Sequence, residues 1–158
     1  MRAWGICAGD RVAGYLPNRP ETVVAFLACA SIGAIWSSGS PDTGPSVVLD
    51  RLRQIEPCLL LASDSYHGKL HDRASQVDEV LARPPSLRQV VPVPGPLAGE
   101  RAVGWRDRVD WADALAEPAP PHYERLPFDH PLWIVIHLGR QDFPRPWFTA
   151  TVASCSRI

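Results

Sequence analysis

Arg11-Val12-Ala13-Gly14-Tyr15-Leu16-Pro17-Asn18, followed by an apolar run from Val23 to Trp36, is the stretch on which the fold turns. Arg11 to Leu16 has the apolar, β-compatible character of a strand, and Pro17-Asn18 ends it. Asn18 is a good helix N-cap, and Pro20 suits a first helical turn. A helix is therefore expected from about Glu21 to Ser31. Its side chains are apolar nearly all round, which predicts burial on every side. Gly33 ends it, and Ile35-Trp36 begins a second short strand. Strand, helix, strand is the unit that builds a parallel pair through a crossover. Val23 to Trp36 is 14 residues long, short of the about 20 that a bilayer crossing needs.

The same grammar continues outward. Ser37 to Asp42 reads as a Ser-rich turn. Pro45-Ser46 opens a second helix, with Val48, Leu52 and Ile55 on one face, and Pro57 stops it. Cys58 to Ala62 is an uninterrupted apolar run, as buried parallel strands are. A loop from Ser63 to Lys69 follows, then a third helix carrying Leu70, Ala74, Val77 and Leu81, ended by Pro84-Pro85. Gln89 to Val93 is a weaker strand, and Pro92 assigns it to a sheet edge. Trp111 and Leu115 sit on a short helix, Glu117 to Pro131 is irregular, and Leu132 to Ile136 is the last strand. Alternating strands and helices predict an α/β fold with a mainly parallel sheet and flanking helices. From His137 onward apolar periodicity vanishes and Pro144-Arg145-Pro146 interrupts the chain.

The 158 residues are one domain's worth, 46% hydrophobic and 21% charged, which excludes a disordered chain. A net charge of −1 argues against nucleic acid or an anionic membrane as a partner. Cys7, Cys29, Cys58 and Cys155 have no metal or redox spacing, so reduced thiols in a cytoplasmic protein are expected, with Cys29 and Cys58 buried. No segment at the start has the apolar length of a signal peptide.

Several stretches resemble one family. Gly9-Asp10-Arg11-Val12-Ala13 through Pro17-Asn18 is similar to the opening of acyl-CoA synthetases. Ala30-Ser31-Ile32-Gly33-Ala34-Ile35-Trp36-Ser37-Ser38, then Ser40-Pro41-Asp42, resembles acetoacetyl-CoA synthetases more narrowly. So do Val48-Leu49-Asp50-Arg51, Gln54-Ile55-Glu56-Pro57 and Pro127 to Trp133. The resemblance implies the large N-terminal domain of an adenylate-forming ligase. Such enzymes activate acetoacetate with Mg-ATP to an acyl-adenylate and pass the acyl group to coenzyme A. The family's phosphate loop, roughly Tyr-Ser-Ser-Gly-Thr-Thr-Gly-Leu-Pro-Lys, follows the strand equivalent to Leu132–Val135. Backbone N–H groups of such a loop hold phosphate oxygens, and its lysine adds charge.

That loop is not found after Val135, where Ile136-His137-Leu138-Gly139-Arg140-Gln141 stands instead. Read one base out of register, codons for Ile136 to Arg145 permit Ser-Ser-Gly-Thr-Thr-Gly-Leu-Pro-Lys, and Pro146 to Ala153 again permits family residues. A base missing near the codon of Ile136 accounts for this. Residues 1–136 are thus expected to be a fragment of the AMP-binding domain, and 137–158 an out-of-frame, disordered tail. Met1 looks like an internal start, because Arg2 to Ile6 resembles the end of a helix preceding the first strand. The chain is expected to bind no cofactor and to be inactive alone, ATP, Mg and CoA belonging to the intact family. The competing expectation is a non-catalytic α/β module that binds a CoA-like nucleotide or complements a separately encoded remainder.

Candidate sites are few. In related acyl-CoA synthetases the loop after the third strand approaches the CoA nucleotide. Lys69 there would attract phosphates and Tyr66 would pack on adenine, with Gly68 in the same loop; the plainer alternative is a solvated turn. Trp36 to Asp42 is expected to be structural, with Trp36 buried and Asp42 near the next helix's amino end. His67 and His71 are four apart, but no third and fourth metal ligand accompanies them. Asp42, Asp64 and His130 have no sequence relation that places them together. Arg140, Arg145, Arg157 and Trp147 are too few to read as a nucleic-acid surface.

Overall fold

The computed structural model describes residues 1–63, 86–93, 109–116, 119–136 and 146–150. After a short 3-10 turn at Arg2–Trp4 come β1 (Arg11–Tyr15), α1 (Pro20–Ser31), β2 (Ile35–Gly39), α2 (Pro45–Ile55) and β3 (Leu59–Ala62). Then follow β4 (Gln89–Pro92), α3 (Trp111–Ala116), β5 (Pro131–Ile136) and β6 (Pro146–Ala150). One sheet has the order β4-β3-β1-β2-β5-β6. All neighbours are parallel except β5 and β6, which pair antiparallel. The α/β class and the mainly parallel sheet are therefore as the sequence implies.

β1 lies at the centre, with Val12 in register with Trp36 on one side and Leu59 on the other. Its alternate residues face opposite ways. Val12 joins α1 residues Ala25 and Cys29 with Trp36, Leu59 and Leu61 in one cluster. Ala13 and Tyr15 join α2 residues Val48, Leu49 and Leu52 with Leu60 and Ala62 in another. The two helices thus cover opposite faces, which is why β3 reads as an unbroken apolar run. β4 stands at the edge, with Pro92 beside Ala62, so its missing N–H costs no interior ladder bond.

Three local expectations are corrected. Asn18 is not the N-cap of α1. That position is Arg19, in extended backbone with no side-chain cap, while the Thr22 hydroxyl donates to the Pro17 carbonyl at 2.8 Å and Arg19 pairs with Glu21 at 2.9 Å. Nor is α1 buried all round: Ala25 and Cys29 are buried, whereas Val23, Val24 and Leu27 are exposed. β2 does not end at Trp36 but continues to Gly39, because β1 pairs with it as far as Tyr15 opposite Gly39 and the buried Ser37 hydroxyl donates to the Ile134 carbonyl at 2.9 Å.

Residues 146–150 were expected to lack regular structure, yet they form β6 on β5. An edge strand presents unpaired N–H and C=O groups that accept any extended neighbour, and Trp147, Phe148 and Thr149 are β-compatible residues. The remainder of 137–158 and the third helix expected at Leu70 to Leu81 lie outside the described residues.

Candidate functional site at the carboxyl ends of the strands

In open parallel sheets, ligands bind beyond the carboxyl ends of the strands. Here those ends are tied together by short bonds. The Leu16 amide donates to the Gly39 carbonyl at 3.2 Å, and the Ser63 amide donates to the Tyr15 carbonyl at 3.1 Å. The buried Tyr15 hydroxyl lies 3.0 Å from the Pro41 carbonyl and 2.9 Å from that of Thr43, so its one proton serves both and holds the loop before α2. Ser40 donates to the Asp42 carboxylate within that loop. Trp36 is fully buried, as expected, and its indole N–H has no partner.

Between α2 and the β1–β2 pair is a cavity of about 20 Å³, reached by Gly14, Tyr15, Ser38, Gly39, Arg51 and Ile55. Arg51 Nε is buried there without a partner. A space of that size holds about one water. A triphosphate needs several convergent N–H or cationic donors, so the described residues do not form a nucleotide site. Tyr66, Gly68 and Lys69 lie outside the described residues, as do His67, His71 and Asp64. The arrangement does place Ser63, where their loop begins, buried at the carboxyl end of β3.

Asp42 and His130 are at opposite ends of β2. Asp42 follows its carboxyl end, whereas His130 Nε2 lies 2.8 Å from the Gly33 carbonyl, before its amino end. They form no acid–base pair. His130 instead helps pin the segment 119–130 across the amino ends of the strands, together with the Glu124 amide donating to Ser31. Gly33 needs its φ of 73° there, with Leu126 and Ala8 packed where a side chain would stand.

Burial pushes the Cys29 thiol up to about 12 and raises Cys58 as well. Cys7 is exposed, and its hydrogen bond to the Asp10 carboxylate raises it too. None of these thiols is activated as a nucleophile. Among the described residues no cluster of His, Cys, Asp and Glu is arranged to hold a metal ion, and no helix is long and apolar enough to cross a membrane. The cavity at Arg51 and the orphaned Trp36 N–H were not legible in the sequence, since the first arises where α2 meets the β1–β2 pair and the second from packing in the cluster on the α1 side.

A family model described as "AMP-binding enzyme" matches residues 1–133, which is most of the chain. The chain belongs to the AMP-binding enzyme family. It is 42% identical over 155 residues to acetoacetyl-CoA synthetase of Xenopus tropicalis, covering 92% of this chain and 23% of that protein. It is 44% identical over 149 residues to acetoacetyl-coenzyme A synthetase of Rhizobium meliloti (strain 1021), with the same coverage of 92% and 23%. Malonamoyl-CoA synthetase of Penicillium aethiopicum is 37% identical over 156 residues, covering 92% of this chain and 21% of that protein. The solved acetoacetyl-CoA synthetase from Streptomyces lividans superposes with a TM-score of 0.86 at 43% identity, covering 94% of this chain and 23% of that one. The chain thus spans less than a quarter of the length of these relatives, and the resemblance drawn from its motifs holds.

Proposed function

We propose that this chain is a fragment of an ATP-dependent acid–CoA ligase and is inactive by itself. The family reaction is acetoacetate + ATP + CoA to acetoacetyl-CoA + AMP + diphosphate. The observation that carries the proposal is the chain's span, 23% of its Xenopus tropicalis relative; among the described residues the cavity between α2 and the β1–β2 pair has room for about one water beside the unpartnered Arg51 Nε. Adenylate formation depends on charge stabilisation and positioning of the triphosphate, and these residues supply neither. The ATP–pyrophosphate exchange assay with acetoacetate tests this on the purified chain. No exchange above a buffer control is expected, and measurable exchange refutes the proposal.

The tail belongs to the same proposal. Residues 137–158 are the product of a one-base loss near the codon of Ile136, and residues 1–136 are the part of the domain that precedes it. The nucleotide sequence around Val135 decides it, because an intact in-frame gene that still encodes this tail refutes the frame shift.

The candidate coenzyme A contact is the loop carrying Tyr66, Gly68 and Lys69, which follows the buried carboxyl end of β3. Titration calorimetry with coenzyme A on the wild type and on Lys69→Ala tests that role; equal heats in the two remove it. The acyl group is acetoacetate by the weight of the relatives, although the Penicillium relative is named for malonamoyl-CoA. The proposed compartment is cytoplasmic, in keeping with three free described thiols.

A further inference from the structure

The described sheet ends on two strands that carry proline. β4 has Pro92 opposite Ala62, and β6 opens with Pro146 opposite Ile136. Proline lacks the N–H that a further strand would bond, so it blunts an edge. β5, the strand just inside β6, has no such protection after Pro131. Leu132-Trp133-Ile134-Val135-Ile136 is apolar throughout, without charge or proline. A run of that kind with a bare edge is the pattern that templates β-pairing between chains. Val135 is 47% exposed even with β6 in place.

The register shows how closely that edge is closed. Trp133, Ile134, Val135 and Ile136 stand opposite Thr149, Phe148, Trp147 and Pro146 without a gap, and the irregularity lies between Pro131 and Trp133. On its other side β5 is in register with β2 at Trp36 and Trp133. β6 itself is a poor template, since it is 5 residues long and follows Pro144-Arg145 in the sequence. We infer that β6 is an intramolecular edge guard, which occupies the free edge of β5 and so keeps this chain from pairing through β5 with a second copy of itself. Residues 146–150 have this role whatever reading frame they came from, so the inference goes beyond the proposed fragment and stands apart from its activity.

Sedimentation velocity on the full chain tests this. Neighbouring residues of an antiparallel strand alternate between bonding their partner strand and not bonding it, so Trp147→Pro/Phe148→Pro removes whichever of the two N–H groups serves β5. The wild type is expected to sediment as a monomer. The double variant is expected to self-associate, raising the fraction in dimers and larger species at least about fivefold. Adding Val135→Lys should return it to monomer, because like charges oppose each other across a pair of identical edges. Amide protection of Val12 and Leu60 in the central strands reports that the core is retained. Where that protection is lost, Phe148→Gly, which keeps every N–H and only lowers strand propensity, is read for the same outcomes. A folded variant that stays monomeric overturns the inference, as does a wild type already associated to the same degree. Association that persists with Val135→Lys also overturns it, by placing the contact away from the β5 edge. Pyrophosphate exchange by the chain bears on the inactivity proposal alone, so the two failures are distinct.

Discussion

Replacing Gly14 by alanine tests how tightly the centre of the sheet is packed. A Cβ on Gly14 would lie 2.7 Å from both Cη2 and Cζ2 of Trp36, a ring with no exposed surface. Carbon atoms in ordinary contact are about 3.5–4.0 Å apart, so the indole has to move by most of an ångström. It sits in register between Val12 and Trp133, within a buried cluster that leaves no vacant side. Overpacking of this kind costs about 1–3 kcal/mol. Reduced freedom of the unfolded chain returns about 0.4–1 kcal/mol for a glycine-to-alanine change. A net loss of about 1.3 kcal/mol is expected, a roughly ninefold fall in the folded-to-unfolded ratio. Urea titration followed by circular dichroism measures it as a midpoint lowered by about 0.6 M at unchanged slope. Phenylalanine at 36 lacks the outer ring atoms that clash, so Gly14→Ala in a Trp36→Phe background should cost less than half as much. A loss below about 0.5 kcal/mol in the wild-type background, or strict additivity of the two changes, refutes the overpacking account.

Tyr15→Phe removes the hydroxyl that serves the Pro41 and Thr43 carbonyls and should cost about 1–2 kcal/mol by the same titration, with faster amide exchange in residues 40–44. Glu56 closes α2 at a φ of 50°, a left-handed position where glycine carries no Cβ penalty. Glu56→Gly should therefore stabilise by about 0.5–1 kcal/mol, the exposed 3.8 Å pair with Arg11 being a small loss. Burial places the Cys29 thiol at about 12 against an ordinary 9.0, so the unfolded state loses its proton first. The stability owed to the neutral thiol is complete below pH 9 and declines as pH rises toward 12, by at most about 1.4 kcal/mol per unit. Urea midpoints between pH 8 and 11 should fall less steeply in Cys29→Ala, with Cys58 supplying the remaining dependence. With a thiol-reactive chromophore at neutral pH, Cys7 should modify in the folded chain while Cys29 and Cys58 wait for unfolding.

Periodicity and punctuation were enough for much of the fold. Pro17, Gly33, Pro45 and Pro57 bracket β1, α1, β2 and α2 in the sequence, and the structure breaks at or beside them. Pro92 marks an edge strand and β4 is one. These are local signals, set by which φ values and donors a residue permits. The family motifs from Gly9 to Trp133 pointed to the relatives that the comparisons then supplied. The loop with Tyr66, Gly68 and Lys69 stays outside what the described structure tests.

Sequence alone determined the alternation of strands and helices, the parallel class and the kinship with AMP-binding enzymes, because each is written in neighbouring residues. Tertiary structure decided what distant residues do to one another. It left Val23 and Leu27 in solvent although their helix reads as wholly buried, since burial depends on which elements are present to cover it. It also carried β2 on to Gly39, and it put Asp42 and His130 at opposite ends of that strand. Those outcomes follow from the sheet order and its register, which no single segment of the chain contains.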